Sequence, residues 1–119
     1  MALILIVDDS PTEVHVFKNA LERHGFKTAT ATDGVEGVRM AKEIQPDLIF
    51  MDIVMPNMNG YQATRALSNA PHTRTIPIVM VTSKGQETDK IWGMRQGARD
   101  YIVKPVNRDE LLAKIAALG

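Results

Sequence analysis

The sequence predicts an α/β protein built on a doubly wound, five-stranded parallel sheet of order 2-1-3-4-5, flanked by five helices. Short apolar runs alternate with segments in which apolar residues recur at helical spacing. The strongest runs, Leu3 to Val7, Leu48 to Met51 and Ile76 to Val81, are continuous, as strands covered on both faces require. Four of the five runs finish in a polar or charged residue, and the segments between them are long enough for right-handed crossovers.

Taken in order, Leu3 to Val7 forms the first strand and ends in Asp8 and Asp9. Ser10-Pro11-Thr12-Glu13 follows, with Ser as N-cap, Pro at the first helical position and Glu three residues past the cap. The helix this starts runs to about His24 and Gly25, with Val14, Phe17 and Leu21 on one face. Lys27 to Ala31 carries Thr and Ala in place of branched aliphatics and reads as an edge strand. Asp33 with Glu36 repeats the cap-plus-three pattern and opens a helix through Val35, Val38, Ala41 and Ile44, stopped by Pro46.

Leu48 to Met51 runs into Asp52, after which Pro56, Asn57, Asn59 and Gly60 break the backbone into a loop. Tyr61 to Leu67 reads as a third helix, Ser68 to Thr75 as a polar connector, and Ile76 to Val81 as a buried strand ending in Thr82 and Ser83. Pro77 near the start of that strand is tolerable because little donor capacity is needed there. Glu87 to Gln96 forms a fourth helix with Ile91 and Met94 expected inward, and Gly97 closes it. Tyr101 to Val103 is a short strand ending in Lys104-Pro105, and Asn107 with Glu110 caps a last helix bearing Leu111, Ile115 and Leu118. The whole is a flavodoxin-like arrangement.

At 119 residues the chain suits a single domain spanning 1–119, with nothing left for a separate output module. The 14 basic and 14 acidic residues balance and no window concentrates Lys and Arg, so no nucleic-acid partner is expected. The absence of cysteine excludes disulfides, thiolate metal sites and Cys nucleophiles. The apolar opening is too short for a membrane span and lacks a basic leader and cleavage site, so a cytoplasmic protein is expected.

The chemistry lies at the strand ends, where Asp8 and Asp9, Asp52, Thr82 and Lys104 share one edge of a parallel sheet. Clustered carboxylates repel one another, and a hard divalent cation relieves them. Magnesium fits best: it binds through a few carboxylates, waters and a phosphoryl oxygen, and the Val54 backbone carbonyl can complete the shell beside Asp8, Asp9 and Asp52. Lys104 offers a point charge and Thr82 a hydroxyl to phosphoryl oxygens, while Asp52 serves as nucleophile and forms an acyl phosphate. Plainer roles exist for each. Asp52 could cap a turn, Asp8 and Asp9 could cap the first helix, although Ser10 already does so, Lys104 could be a solvated lysine, and Thr82 an ordinary strand-end hydroxyl.

Val7-Asp8-Asp9-Ser10, Met51-Asp52-Ile53-Val54-Met55-Pro56 with Gly60, Val81-Thr82-Ser83 and Lys104-Pro105 together resemble the receiver domain of two-component response regulators, of the CheY-like type. Gln62-Ala63-Thr64-Arg65, Gln86 to Lys90 and Trp92 to Tyr101 look in addition like the PilH-type regulators of type IV pilus twitching motility. The resemblance implies a stand-alone regulator whose Asp52 takes a phosphoryl group from the phosphohistidine of a CheA-like histidine kinase. It implies that Asp9 holds magnesium directly and Asp8 partly through water, and that the Lys104-Pro105 bond is cis. Thr82 would then shift toward the phosphoryl group, and Tyr101 would turn inward, altering the face of the fourth helix, fifth strand and fifth helix that meets a downstream motility protein. Beyond its own phosphorylation and dephosphorylation, no enzyme activity is implied.

Val54 cannot hydrogen-bond an attacking water and Lys84 is long and cationic, so spontaneous dephosphorylation is not expected to be unusually fast. From the residues alone Tyr101 reads as core or edge packing, its switch role resting on the resemblance, Trp92 reads as core or as a partly exposed docking residue, and His15, His24 and His72 read as surface residues without metal spacing. A phosphate sink for a shared kinase is the alternative role. An Asp-nucleophile phosphatase would want a second acid two residues on, where Val54 or Ser10 stands; a flavodoxin would not place Asp8-Asp9 at its phosphate loop. A receiver that binds partners without phosphorylation would not need the acids, Thr82 and Lys104 intact.

Overall fold

The computed structural model describes residues 2–83 and 87–118. The elements follow in strict alternation: β1 (Leu3–Val7), α1 (Pro11–Arg23), β2 (Lys27–Ala31), α2 (Gly34–Ile44), β3 (Leu48–Asp52), α3 (Gly60–Asn69), β4 (Ile78–Thr82), α4 (Glu87–Arg95), β5 (Asp100–Val103) and α5 (Arg108–Leu118). The sheet order is β2-β1-β3-β4-β5 and every pairing is parallel. The doubly wound fold expected from the apolar runs is therefore the fold observed, with the polar strand Lys27–Ala31 at one edge.

Alternation along the central strands divides the core into two layers. Leu5, Val7, Ile49, Met51, Ile78 and Met80 face α2 and α3, where Ala41, Ala63 and Leu67 receive them. Ile4, Ile6, Phe50, Val79 and Val81 face α1 and α5 through Phe17, Leu21, Leu111 and Ile115. Phe17 and Phe50 stack at 5.4 Å between centroids, and burying a side chain of that size contributes about 2–3 kcal/mol.

Local signals place the helix starts. Ser10 accepts the Glu13 amide and Asp33 accepts the Glu36 amide, as the cap-plus-three spacing predicts. The α3 start is a full capping box between Asn59 and Gln62, a signal that a reading of Asn59 as a loop residue passes over. β4 begins at Ile78, two residues later than expected, because the Ile76 amide closes a turn on the Thr73 carbonyl.

α4 corrects the expected orientation of its side chains. Ile91 and Met94 are 46% and 45% exposed, and Trp92 is 50% exposed. Gly93 is buried instead, and a Cβ there would meet Met80 and Tyr61, so helical spacing located a shared face but not which face was buried. Val35, at the first turn of α2, is likewise exposed. Among the described residues no helix is long and apolar enough to cross a membrane.

Candidate functional site

The register carries the polar strand ends to one rim. Val7 pairs with Met51, Asp52 with Val81, and Thr82 with Val103, so Asp8, Asp52, Thr82 and Lys104 emerge side by side. Asp8 and Asp52 are buried, at 2% and 8% exposure, whereas Asp9 is exposed. One carboxylate oxygen from each of Asp8, Asp9 and Asp52 lies within 4.8 Å of the others. Lys104 Nζ donates to Asp8 Oδ2 at 3.3 Å and stands 3.3 Å from Asp52 Oδ1.

The two inner acids are held differently. Asp8 Oδ1 accepts the Ser10 amide at 2.9 Å while Oδ2 takes Lys104, so both of its oxygens are engaged. Asp52 lines an open cavity of about 580 Å³ with Ile53, Val54, Met55, Asn59, Tyr61, Thr82, Ser83 and Lys104. Burial pushes the Asp52 carboxyl up to about 6, Asp8 adding to the rise and Lys104 opposing it. Burial pulls Lys104 down, but Asp52 and Asp8 outweigh it and its ammonium is held above the ordinary lysine range. A lysine between two carboxylates thus stays charged, while burial disfavours the charged form of the acid at the cavity, Asp52.

The turn after β3 shapes the cavity floor. The Gly60 amide donates to the Ile53 carbonyl at 2.8 Å, and a Cβ at Gly60 would run into the Asp52 carbonyl oxygen. Only glycine lets the start of α3 approach the strand end that closely. Val54 projects from this turn at 68% exposure. The Lys104–Pro105 peptide is cis.

The acid set suits a hard cation: three carboxylates converge within coordination range, one of them exposed and one facing a cavity, with Lys104 balancing part of their charge. Tyr101 lies away from this cluster, partly buried against the core, with Lys90 Nζ 4.5 Å and Lys114 Nζ 5.7 Å from its ring centre. Tyr61, not singled out in the sequence, lines the cavity and meets Trp92 edge-on at 6.5 Å. An aromatic directly after Gly60 was its only sequence signal. His15, His24 and His72 are exposed. Lys84 lies outside the described residues.

Residues 4–116 match the family model of the response regulator receiver domain. Protein PilH of Pseudomonas aeruginosa is 53% identical over 118 residues, covering 99% of this chain and 98% of that protein. Among solved structures, the chemotaxis protein CheY4 of Vibrio cholerae superposes with a TM-score of 0.94 at 31% identity, covering 100% of this chain and 99% of that one. The receiver domain of the sensor histidine kinase PA1611 from Pseudomonas aeruginosa PAO1, which has a magnesium ion coordinated in its active site cleft, superposes with a TM-score of 0.92 at 31% identity over 98% of this chain and 96% of that one.

Proposed function

The chain belongs to the response regulator receiver domain family, and from that premise we propose that Asp52 accepts a phosphoryl group from the phosphohistidine of a histidine kinase, with magnesium as cofactor. The observation that carries this reading is the position of Asp52, whose carboxylate borders the cavity while Lys104 bridges it to Asp8. Asp8, Asp9, Asp52 and the Val54 carbonyl would hold the cation. Its chemistry is to neutralise phosphoryl oxygens and to lower the repulsion between them and the acids.

The chain's own groups do the rest. A carboxylate oxygen of Asp52 attacks phosphorus, the new O–P bond forms as the P–N bond to the donor imidazole breaks, and the imidazole leaves with the bonding pair. Lys104 is close enough to Asp52 to follow the charge onto the phosphoryl group, and the Thr82 hydroxyl lines the same cavity. Asp9, exposed beside the buried pair, is the acid best placed to meet the cation directly, whereas Asp8 is already occupied by Ser10 and Lys104.

Output would run through Thr82 and Tyr101 to the face of α4, β5 and α5, where a downstream motility protein docks; exposed Ile91, Trp92 and Met94 supply apolar contact area. The likeness to PilH over nearly the whole of both chains supports a role in control of twitching motility by type IV pili, downstream of a CheA-like kinase in the cytoplasm. On this reading the protein catalyses only its own phosphorylation and dephosphorylation.

Incubation with a small acyl-phosphate donor and magnesium, followed by intact mass measurement, tests the chemistry. One phosphoryl adduct in the wild type, absent in Asp52→Asn and without added magnesium, is the expected result. An adduct that persists in Asp52→Asn overturns it.

A further inference from the structure

The proposed cation ligand at Val54 sits in a turn whose side chain there is 68% exposed, so packing of Val54 itself cannot fix its backbone. Besides its internal Met58–Pro56 bond and the Asn59–Gln62 capping box, three hydrogen bonds tie the turn to its surroundings. The Gly60 amide reaches the Ile53 carbonyl at 2.8 Å, the Gly34 amide reaches the Met58 carbonyl at 3.2 Å, and Asn57 Nδ2 donates to Asp33 Oδ2 at 2.8 Å across 24 residues of sequence. The last is the only side-chain bond among them. Asn57 itself has φ 68°, a left-handed conformation that asparagine tolerates better than most residues.

Asp33 divides its carboxylate between two tasks. Oδ1 accepts the Glu36 amide at 2.8 Å and caps α2, while Oδ2 holds Asn57, so the first turn of one helix is bonded to the loop that leaves β3. Gly34 reinforces the junction, since a Cβ there would collide with the Met58 carbonyl. Holding the carboxylate charged benefits both bonds, and the Glu36 amide and Asn57 amide hold Asp33 below the usual aspartate range.

We propose that Asp33 and Asn57 are positioning residues for magnesium: their hydrogen bond presets the turn that presents the Val54 carbonyl, although neither side chain joins the carboxylate cluster. The inference rests on the proposed function and deepens it. Ligand-orienting groups outside the coordination shell commonly change metal affinity by about tenfold or more.

Two variants separate the strap from its neighbours. Asn57→Gly keeps the left-handed backbone and removes the bond; Asp33→Ser keeps a cap for Glu36 and removes the acceptor of Asn57. Magnesium chloride titrated into each full-length protein, followed by backbone amide NMR shifts, should show affinity weakened about tenfold in both. The double variant should bind no more weakly than either single one, because both remove the same bond. Thermal unfolding without magnesium should report only small losses. Wild-type magnesium affinity in both single variants, or losses that multiply in the double variant, overturns the strap while leaving phosphorylation of Asp52 intact. Failure of the wild type to bind magnesium overturns the strap together with the proposed function.

Discussion

The molecule has two unlike halves, the acid site at the strand ends and the surface around Tyr101. At the ends of β1 and β3, hydrogen bonds with fixed directions hold the residues: Asp8 between Ser10 and Lys104, Gly60 on Ile53, Asn57 on Asp33. On the β5 side, the contacts are between long or exposed side chains. Lys90 and Lys114 lie over the Tyr101 ring, Lys114 pairs with Asp100 at 2.9 Å, and Trp92 meets Tyr61 edge-on. Hydrogen bonds that engage the backbone or share one carboxylate with it define one geometry, whereas contacts of this second kind can exchange at little cost. Chemistry that needs groups set to a fraction of an ångström belongs in the first half, and a surface that must change shape belongs in the second.

If that contrast is right, damage should scale accordingly. Lys104→Met attacks the tied half most directly, because it leaves Asp8 and Asp52 buried together without their shared cation. A loss of about 3 kcal/mol in urea unfolding at neutral pH is expected, with part recovered on adding magnesium. Loss of a few tenths only would show that the acids are not held by Lys104 at all.

The pH dependence sharpens the same point. Asp52 titrates at about 6 in the folded chain against an ordinary 3.8, so between those values the folded state holds the extra proton. The Asp52 contribution to stability therefore falls as pH rises from 4 to 6, and the deficit persists above that window. Asp52→Asn should flatten this slope and leave the protein more stable at neutral pH by about 1–3 kcal/mol. Lys104 contributes stability at every pH below its raised value and does not blur the window. A wild-type slope between pH 4 and 6 that Asp52→Asn leaves unchanged would contradict the site's electrostatics.

The smallest effect belongs to the other half. Trp92→Ala removes a half-exposed ring and its edge contact with Tyr61, for a cost below about 1 kcal/mol. Phosphoryl uptake should be unchanged, and binding of a downstream partner should weaken. An equal loss of phosphoryl uptake in Trp92→Ala would erase the distinction between the halves.

The tied half was largely legible in the sequence, and the reason is local. Continuous apolar runs gave the central strands, and the polar or charged residue closing four of the five runs had to lie at the shared rim. The caps at Ser10 and Asp33 likewise follow from spacing within four residues. What escaped was non-local or relative. Nothing near Asp33 announces Asn57, because the bond between them depends on how α2 settles against the turn after β3. The outward orientation of Ile91 and Met94 escaped for a similar reason: a helix with a small residue such as Gly93 can press that side against the sheet, and periodicity alone does not reveal the choice.

Because all strands run the same way, the turns at their opposite ends, around Gly25, Gln45–Pro46 and Ala70–Pro77, lie a full strand length away from the acids. Insertions, tags or new chain junctions grafted there meet none of the clustered acids. The same architecture that gathers the acids at one pole thus leaves the other pole open for attachment.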